Sequence, residues 1–485
     1  MPGEKKIRHS EIEFYLRRTF GKSSFRPMQK EVVCAALEGH DIFLQAATSF
    51  GKSLCYQLPA VVDFGLTLVV SPLLALMNNQ ISILRESNVR VESINSAVSA
   101  ETRKAIMADL QCGHPKTKLL YVTPEFCAMD HFRRVLRIVH SQKELARIAI
   151  DEAHCISEWG HDFRPKFQEL RFFKDQFPDV PMICCTATAT QRVREDVVCM
   201  LGLSPNKVKV FTMTTCRPNL HYEVRFKSDE TDQYGDFIKW LKATHARRAS
   251  SQRAAQLAQS NERLDNVSGI IYTIYRRDCE ALAEQLRRDG IGARPYHAGL
   301  SNEEKDRNLA GWVANMEGYD VIVATTAFGM GIDKEDVRFV VHWQIPKSFE
   351  GFYQEAGRAG RDGKASVCIM YYSREDGARA FQLLDADGQR KQNSVAKGAT
   401  HAVDHIQMRK ASLTALVNYC EEVGRCRHQM ICDYFGEEIT APCDYACDWH
   451  KYGDKLASIK DRVLVSEEWA DTQTQAGAYA VRSDD

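Results

Sequence analysis

The sequence IAIDEAHCISEWGHDFRP, residues 148–165, joins an apolar run to two carboxylates and then to an aromatic, basic segment. The apolar run, Ile148 to Ile150, is typical of a buried strand in a parallel sheet. Asp151 and Glu152 would therefore emerge at the carboxyl end of that strand, where open α/β sheets place their binding sites. We predict an α/β fold with its chemistry at this edge.

A second motif lies upstream in HDIFLQAATSFGKSLCYQLPA, residues 40–60. Its apolar start predicts a strand over Ile42 to Gln45, followed by a loop and by a helix that opens near Lys52. Loops in this arrangement bind phosphates with backbone N–H groups and the positive end of a helix, while a lysine neutralises the β- and γ-phosphates. Lys52 fits that lysine, and Ser53 fits the hydroxyl ligand of magnesium.

The loop departs from the usual G-x-x-x-x-G-K-[ST] pattern, because Ala46 replaces the first glycine and Gly51 alone provides free backbone geometry. By itself the loop could be an ordinary strand-to-helix turn. The acidic pair favours a nucleotide site, since Asp151 can bind magnesium together with Ser53, and Glu152 can polarise the attacking water. We predict ATP hydrolysis, with these phosphate-loop contacts: Thr48, Ser49, Phe50, Gly51, Lys52 and Ser53.

Length and composition limit the class of protein. At 485 residues the chain is longer than one hydrophobic core supports, so we expect two or three domains. No apolar stretch reaches the ~20 residues of a membrane helix, and the N-terminal segment lacks the apolar core of a secretory signal. We expect most of the 16 cysteines to be free thiols in the cytosol or nucleus. The 64 basic and 64 acidic residues balance, so binding to nucleic acid must depend on local grooves.

From about Phe20 to His450 the order of motifs resembles that of the RecQ family of superfamily 2 DNA helicases. The blocks that carry the resemblance are FGKSSFRPMQKEVV (residues 20–33), VVSPLLALMNNQ (69–80), LLYVTPE (119–125), the acidic pair with its aromatic segment, TATAT (186–190), VIVATTAFGMGIDKEDVRFVVHWQIPKS (321–348) and YQEAGRAGRDG (353–363). The resemblance implies two tandem RecA-like motor domains, each an open parallel sheet with helices on both faces, followed by a small helical zinc-binding module. ATP is expected between the two domains.

In the first of these blocks, Gln29 would hydrogen-bond the adenine base, and Phe25 and Arg26 would flank it. The TATAT segment, Thr186 to Thr190, resembles the motif that couples hydrolysis to domain movement. Its small hydroxyl side chains suit a tightly packed relay near the acidic pair. A generic threonine-rich strand is the alternative.

In the last block, Arg358 and Arg361 lie three residues apart, and they would share one face if the segment is helical. Both could then reach one anion. By family likeness Arg361 would be the arginine finger that stabilises charge on the γ-phosphate across the cleft between the domains, while Arg358 and Gln354 support it. The alternative is two arginines on a solvated helix.

The segment from His154 to Arg164 combines aromatic and basic side chains in an order that fits neither a strand nor an amphipathic helix. Aromatic rings stack on unpaired bases, and arginine adds phosphate contacts. In RecQ proteins this loop senses single-stranded DNA; here Glu158 replaces the usual glutamine. A packed hairpin is the alternative. The predicted nucleic-acid contacts are Ser71, Pro72, Asn95, Thr123, Pro124, Trp159, His161, Phe163, Arg164 and His297.

Near the C-terminus, GRCRHQMICDYFGEEITAPCDYACDWH (residues 424–450) contains clustered cysteines. The predicted zinc ligands are Cys426, Cys443, Cys447 and His450. Successive ligands are 17, 4 and 3 residues apart, which suits a tetrahedral structural zinc. RecQ proteins place a four-cysteine module here, so His450 would replace the last cysteine. Cys420 and Cys432 are reserve candidates, and buried free cysteines without a metal are the alternative.

The order of motifs also predicts the domain organisation. We place the first motor domain at residues 1–213, the second at 214–384, a polar, flexible connector at 385–403, the zinc module at 404–453 and a partly disordered tail at 454–485. The polar stretch 244–266 is expected to be an exposed helix extension or a disordered insertion. A helix is expected near Asp404 to Val423. Too few residues follow His450 for a further DNA-binding domain, so we expect a short form or a fragment.

The sequence therefore predicts a DNA-stimulated ATPase and helicase that moves 3′→5′ in DNA repair or recombination, with ATP, Mg²⁺ and Zn²⁺ as cofactors. Single-stranded and forked or branched DNA is the expected partner, and the location would be nuclear in a eukaryote and cytoplasmic otherwise. An RNA-directed helicase is one alternative, because nothing in these motifs contacts the 2′-hydroxyl. Another is a nucleic-acid binding or strand-annealing protein with a weak motor, because Ser49 and Phe50 occupy positions often held by glycine.

Overall fold

The computed structural model describes residues 9–47, 50–72, 74–95, 98–157, 164–228, 231–248, 257, 263, 265–329, 332, 334–394, 399–437, 443 and 446–464. The chain forms two compact units. Unit 1 contains Met1–Thr215 with Met330–Ile332, and unit 2 contains Cys216–Gly329 with Asp333–Asp485. The predicted boundary after residue 213 lies close to this division.

Unit 1 is built on a sheet whose described strands all pair in parallel. These strands are β1 (Ile42–Gln45), β2 (Leu66–Val70), β3 (Val91–Ile94), β4 (Leu119–Val122), β5 (Leu145–Asp151), β6 (Met182–Thr186) and β7 (Lys209–Thr212). Their order across the sheet is β3-β4-β2-β5-β6-β1-β7. β1, β2, β4 and β6 are buried along their whole length, as expected for parallel strands that helices cover on both faces.

The core of unit 1 lies in two layers, one on each side of the sheet. Successive residues of a strand point to opposite faces, so Ile148 and Ile150 join one buried cluster and Ala149 joins the other. The helices of this unit are α1 (His9–Arg18), α2 (Gln29–Leu37), α3 (Leu54–Val62), α4 (Leu74–Glu86), α5 (Ala100–Leu110), α6 (Pro124–Cys127), α7 (Asp130–Ser141), α8 (Pro165–Gln168), α9 (Phe172–Gln176) and α10 (Gln191–Met200). With both faces filled, the strand ends remain for a functional site.

Unit 2 contains a second sheet whose described strands also pair in parallel. They are β8 (Leu220–Phe226), β9 (Gly269–Tyr272), β10 (Ala293–Tyr296), β11 (Val321–Ala324), β12 (Phe339–His342) and β13 (Ser366–Tyr372), in the order β10-β11-β9-β12-β13-β8. Its helices are α11 (Gln233–Arg248), α12 (Arg276–Arg288), α13 (Asn302–Val313), α14 (Phe349–Ala356), α15 (Arg374–Ser394), α16 (Ala399–Glu421), α17 (Arg427–Tyr434) and α18 (Asp448–Tyr452).

The prediction of a flexible connector over residues 385–403 is wrong for its described part. Asp385 to Ser394 continue α15, and α16 begins at Ala399. The two helices pack closely at Gly388, where a Cβ atom would lie 2.7 Å from Ile406 Cδ1. A polar segment can therefore be helical here because packing against its neighbour supplies the stability that its own composition lacks.

Two other predicted segments can be compared with the structure. The helix expected near Asp404 to Val423 is present as α16. The polar stretch 244–266 starts as the end of α11, which continues to Arg248. Residues 249–256, 258–262 and 264 of that stretch lie outside the described residues.

The C-terminal module pairs with β8, which lies at one border of the unit 2 sheet. Tyr222 forms a parallel bridge with Cys447, and its N–H donates to Ala446 O at 3.1 Å. The Val224 N–H donates to Asp448 Oδ2 at 2.9 Å. The module therefore extends the hydrogen bonding of the sheet beyond its last strand.

A completely buried ion pair holds the module together. Arg427 Nε donates to Asp448 Oδ1 at 2.8 Å, and Nη2 donates to Oδ2 at 3.0 Å. Arg427 also donates to the carbonyl oxygen of Tyr419. Buried charges need such additional hydrogen bonds to offset their loss of hydration. The pair thereby joins α16, α17 and α18.

The predicted fold class is confirmed. Two open parallel-sheet units are followed by a small helical module. In the part of the chain that the structure describes, no helix combines the length and apolar character needed to pass through a lipid bilayer.

Candidate functional site

The predicted phosphate loop and acidic pair lie at the same edge of the unit 1 sheet. β1 ends at Gln45 and β5 ends at Asp151, and β6 separates them. The Lys52 side chain is mostly buried, and its Nζ donates to Ala46 O at 3.0 Å. Burial raises the pKa of the Asp151 carboxyl, while the positive charge of Lys52 opposes that rise. Lysine and carboxylate are thus close enough to interact electrostatically across the strand ends.

The motif expected to contact adenine is tied to the phosphate loop. Gln29 Oε1 accepts from the Arg26 N–H at 2.9 Å, and Gln29 Nε2 donates to Phe50 O at 2.8 Å. Gly51 has a φ of +82°, and a Cβ there would lie 3.0 Å from Gln29 Nε2. Glycine is therefore favoured at this position by its left-handed backbone conformation, and a Cβ would be tight against the Gln29 side chain. Phe25 is partly buried against the α1–α3 core.

Thr48 and Ser49, also predicted to contact phosphate, lie outside the described residues.

A buried polar network surrounds the predicted magnesium ligands. Gln80 Nε2 donates to Ser53 Oγ at 3.0 Å, and Gln80 Oε1 accepts from the hydroxyl groups of Tyr56 and Tyr121, each at 2.8 Å. The Tyr56 hydroxyl also lies 3.3 Å from Asp151 Oδ2. Gln80 belongs to α4 and is the last residue of the block at 69–80, which also contains the predicted DNA contacts Ser71 and Pro72. The sequence did not identify this network, because its members are dispersed over four elements, α3, α4, β4 and β5.

Gln80→Leu is expected to weaken magnesium binding. Leucine is of similar size but leaves Ser53 Oγ and two buried tyrosine hydroxyls without their amide partner, and loss of such supporting contacts costs about 10- to 100-fold in metal affinity or activity. ATP turnover measured against Mg²⁺ concentration should show half-saturation displaced upward by about tenfold or more. Gln111→Leu, on the exposed end of α5, is the matched control. An unchanged magnesium dependence would show that the network does not support the metal site.

Glu152 adopts a left-handed conformation, with φ 51° and ψ 48°. Such a conformation costs a non-glycine residue roughly 1 to 3 kcal/mol and is typical of functional sites. Glu152 Oε2 lies 3.4 Å from His154 Nδ1, and that nitrogen lies 2.9 Å from Thr186 Oγ1. The Thr188 N–H donates to Thr186 Oγ1 at 3.2 Å. His154, which the sequence grouped with the aromatic segment, instead links the acidic pair to the TATAT motif.

Several predicted nucleic-acid contacts lie at neighbouring strand ends of unit 1. Ser71 and Pro72 follow β2, Asn95 follows β3, and Thr123 with Pro124 follows β4. These strands are adjacent in the order β3-β4-β2, so the residues form a row along one edge of the sheet. The Thr123 side chain also accepts from the N–H of residue 126 and so begins α6. The row continues directly to the end of β5, where the acidic pair lies.

Arg164 closes the aromatic segment and contacts this row. Its Nη1 donates to Pro72 O at 2.8 Å, and its N–H donates to Cys155 O at 3.0 Å. Trp159, His161 and Phe163 lie outside the described residues. The basic end of the aromatic segment is therefore anchored to a predicted DNA-contact motif.

The condition under which Arg358 and Arg361 would share a helix face is not met, because α14 ends at Ala356 and a turn follows. Gly360 has a φ of +56°, and a Cβ there would lie 2.5 Å from Asn219 Nδ2. Arg358 is buried, and Arg361 is partly exposed. The backbone turn, and not a shared helix face, determines where the two guanidinium groups lie.

The other predicted residues of unit 2 are also mostly buried. Gln354 lies in the last turn of α14. His297 follows β10; its Nδ1 accepts from the Gly299 N–H at 3.2 Å, and its Nε2 lies 3.0 Å from Glu280 Oε1. The His297 ring is thus fixed by one contact on each nitrogen.

The cysteines of the C-terminal module form a compact donor group. The ligand atoms of Cys426, His428, Cys443 and Cys447 all lie within 4.8 Å of one another. Cys447 Sγ is 3.9 Å from Cys426 Sγ, close to the roughly 3.8 Å that separates two sulfurs bound to tetrahedral zinc with Zn–S near 2.3 Å. Hydrogen bonding from Cys426 and then Cys443 holds the pKa of the Cys447 thiol far below its usual range. Three sulfurs and one imidazole nitrogen fit a structural zinc ion.

The structure corrects the predicted fourth ligand. His428 Nδ1 belongs to the donor group and lies 3.1 Å from Cys443 Sγ, whereas His450 is not a member, although its Nδ1 is 3.1 Å from Cys447 Sγ. His428 Nε2 donates to Arg217 O at 3.1 Å. Zinc-ligating histidines typically donate their second ring nitrogen to such an acceptor. The signal in the sequence was a C-x-H spacing at the start of α17, which is shorter than the usual zinc spacings.

Cys443→Ser is expected to remove zinc and to destabilise unit 2. Because the ligands define the interior of the module, we expect a loss of several kcal/mol, or about 10 °C in melting temperature for a unit of this size. Zinc content by atomic emission and thermal unfolding would measure both effects. Cys420→Ala, a buried cysteine outside the donor group, is the matched control and should keep about one zinc per chain. Likewise, His428→Ala should lose zinc while His450→Ala keeps it; the reverse would restore His450 as the ligand.

The chain matches three protein families in succession. These are DEAD/DEAH box helicase over residues 26–197, Helicase conserved C-terminal domain over 252–363 and RecQ zinc-binding over 376–451. The ATP-dependent DNA helicase Q5 of Rattus norvegicus is 40% identical over 467 residues, which are 96% of this chain and 46% of that protein. The RecQ-like DNA helicase BLM of Xenopus laevis is 39% identical over 426 residues, or 88% of this chain and 29% of that protein. The chain thus spans less than half of these two relatives.

Solved structures show the same fold at lower sequence identity. The Mycobacterium smegmatis helicase Lhr bound to single-stranded DNA and AMP-PNP superposes with a TM-score of 0.54 at 19% identity, over 84% of this chain and 57% of that chain. Saccharomyces cerevisiae Dbp5 bound to RNA and ADP BeF3 superposes with a TM-score of 0.54 at 15% identity, over 83% of this chain and 97% of that chain. The matched families, the curated relatives and the donor group agree: the chain belongs to the RecQ family of superfamily 2 helicases and carries that family's zinc-binding module.

Proposed function

We propose that the chain is an ATP-dependent DNA helicase, a DNA-stimulated ATPase that moves 3′→5′ along single-stranded DNA and unwinds duplex DNA in repair or recombination. One observation carries the proposal: Lys52 and Asp151 meet at the sheet edge on which the predicted DNA contacts form a row. The ATP site and the DNA-binding surface would both lie at the ends of neighbouring β-strands. ATP hydrolysis at one could therefore change the affinity of the other for single-stranded DNA. The curated relatives quoted above are named DNA helicases.

The nucleotide chemistry divides among residues of unit 1. Gln29 selects adenine, Lys52 neutralises the β- and γ-phosphates, and Ser53 and Asp151 hold magnesium. Glu152 polarises the attacking water. Magnesium itself would stabilise charge on the phosphate oxygens. Burial of Gln29, Lys52, Asp151 and Glu152 strengthens their electrostatic contacts, because water screens them less.

Residues of unit 2 complete the assignment. Arg361 acts as the arginine finger that stabilises charge on the γ-phosphate, and Arg358 and Gln354 support it. Arg358 is buried next to the Tyr272 hydroxyl. Burial raises the pKa of that hydroxyl, and the positive charge of Arg358 partly opposes the rise. A buried arginine of this kind has few accessible rotamers, which suits a supporting role.

Two sets of contacts in unit 1 support coupling between DNA binding and the acidic pair. Arg164 joins the aromatic segment to Pro72, and His154 joins Glu152 to Thr186. Single-stranded DNA stacked on the aromatic segment would therefore influence the position of the Glu152 carboxylate, which activates the water. The predicted consequence is hydrolysis that accelerates when single-stranded DNA binds.

ATP turnover with a panel of nucleic acids tests this proposal. Single-stranded DNA should increase turnover strongly above the DNA-free rate, and RNA of the same sequence should not. Equal stimulation by RNA would favour the RNA-directed alternative. Absence of ATP-dependent unwinding of a forked duplex, with annealing that needs no ATP, would favour the strand-annealing alternative.

Direction and substrate preference need separate assays. Unwinding of duplexes with either a 3′ or a 5′ single-stranded tail distinguishes the polarities, and the 3′-tailed substrate should be the one unwound. Forked and branched duplexes are the proposed preferred substrates, because both present single strands next to a duplex. A nuclear location follows from action on chromosomal DNA if the chain is eukaryotic, and a cytoplasmic one if it is bacterial.

A further inference from the structure

Arg217 lies just before β8 and is mostly buried, at 8% exposure. Its guanidinium donates from Nη1 to Gly357 O at 3.1 Å, and from Nη2 to Ala359 O at 2.9 Å and Gly360 O at 2.8 Å. These carbonyls follow the end of α14, where carbonyl groups lack helical partners and the helix dipole is negative. A cation with several fixed donors is the side chain best suited to satisfy them.

The segment that Arg217 binds is the one that carries the two functional arginines. Arg358 lies between two of the three carbonyl acceptors, and Arg361 follows the third. Asn219 supports the same turn, because its Nδ2 donates to Gly360 O at 2.9 Å. The backbone that sets the direction of both arginines is therefore fixed from one side by Arg217.

The backbone of Arg217 is fixed from the zinc module. Its carbonyl oxygen accepts from His428 Nε2 at 3.1 Å, while the other nitrogen of that ring faces Cys443 Sγ. A ring whose Nδ1 binds a metal must carry its proton on Nε2, so zinc would favour this hydrogen bond. One residue thus contacts the metal module through its main chain and the arginine turn through its side chain.

We propose that Arg217 is a positioning residue for Arg358 and Arg361, and that the zinc module holds Arg217 through His428. The inference rests on the proposed function, in which Arg361 stabilises charge during hydrolysis. Lysine cannot replace Arg217, because one ammonium group cannot reach three carbonyls in the arrangement of a planar guanidinium. A shift of the turn by less than 1 Å would misdirect the arginine finger without removing it.

Arg217→Lys tests the positioning role. DNA-stimulated kcat should fall about tenfold or more, while the KM for ATP and the Kd for single-stranded DNA change less than about twofold, since only an interaction made in the transition state is lost. Zinc content should stay near about one per chain. The matched control is Arg225→Lys, a partly buried arginine of β8 whose described hydrogen bonds go to Glu223 and Tyr371 instead of to the arginine turn. That control should keep kcat within about twofold even if it lowers stability.

A double variant separates positioning from general stability. If Arg217 acts through Arg361, Arg217→Lys should cost little in single-turnover hydrolysis once Arg361→Ala is present, because the effects of coupled residues do not add. Additive losses, a raised KM with normal kcat, or an equal loss in the Arg225→Lys control would overturn the inference. Should Arg217→Lys fail to fold, Arg217→Gln, which keeps an amide N–H₂ group but no charge, provides the same comparison. A wild-type chain without DNA-stimulated hydrolysis would instead refute the proposed function itself.

Discussion

Replacing Lys52 by alanine is expected to reduce ATP hydrolysis by about 10²- to 10³-fold or more, because removal of one group that stabilises developing charge in a buried site has an effect of that size. Lys52 is mostly buried and interacts electrostatically with Asp151, so water has little access to replace the contacts that its ammonium group makes. Phosphate release in the presence of saturating single-stranded DNA is the direct measurement. Unwinding should disappear with it.

The control for this variant is Lys209→Ala. Lys209 lies on β7 of the same unit and pairs with Glu38 at the surface, with 41% of its side chain exposed. Its loss should leave turnover within about twofold of wild type, since surface ion pairs contribute little. DNA binding without ATP should be normal in both variants. A Lys52→Ala protein that retains normal DNA-stimulated turnover would refute the assignment of the phosphate loop.

Arg361→Ala is expected to lower kcat by about 10³-fold or more, the size typical of an arginine finger in phosphoryl transfer. ATP affinity should change much less, because this charge acts chiefly in the transition state. Binding of a fluorescent ATP analogue and single-turnover hydrolysis would separate the two effects. Arg361→Lys should recover only part of the rate, since lysine lacks the planar pair of donors.

Arg379→Ala provides the comparison for a surface arginine of the same unit. Arg379 lies on α15 and pairs with Glu375 one helical turn away. Its replacement should leave hydrolysis unchanged within about twofold. If Arg361→Ala behaves like this control, Arg361 is not the arginine finger. Arg358 is then the next arginine to test by substitution.

The parts of the fold that the sequence predicted are those that depend on local patterns. The strand over Ile42 to Gln45 and the strand ending at Asp151 were predicted because short apolar runs followed by glycine or carboxylates have few other interpretations. Both motifs also sit at the end of a strand in the same sheet, which parallel topology requires. Their proximity in space therefore followed from pattern and fold class together.

The features that the sequence missed depend on tertiary contacts. The polar connector is helical where it is described, with Gly388 packed closely against Ile406. The segment after Ala356 forms a turn whose carbonyl groups accept hydrogen bonds from Arg217 and Asn219. His428 was missed as a donor because its spacing from Cys426 is unusual, and its ring is oriented by a carbonyl that lies 211 residues away in sequence. No local pattern contains that information.

The pairing of the C-terminal module with β8 has a consequence for the protein without its metal. A strand at the border of a sheet has unpaired N–H and C=O groups that can recruit another chain, and Ala446 to Asp448 occupy those groups in the intact protein. Chelation would release this cover. Metal-free protein should then aggregate through contacts between β-strands of different molecules, in a concentration-dependent way that light scattering can follow. A bound ion would in that case also protect the protein from self-association.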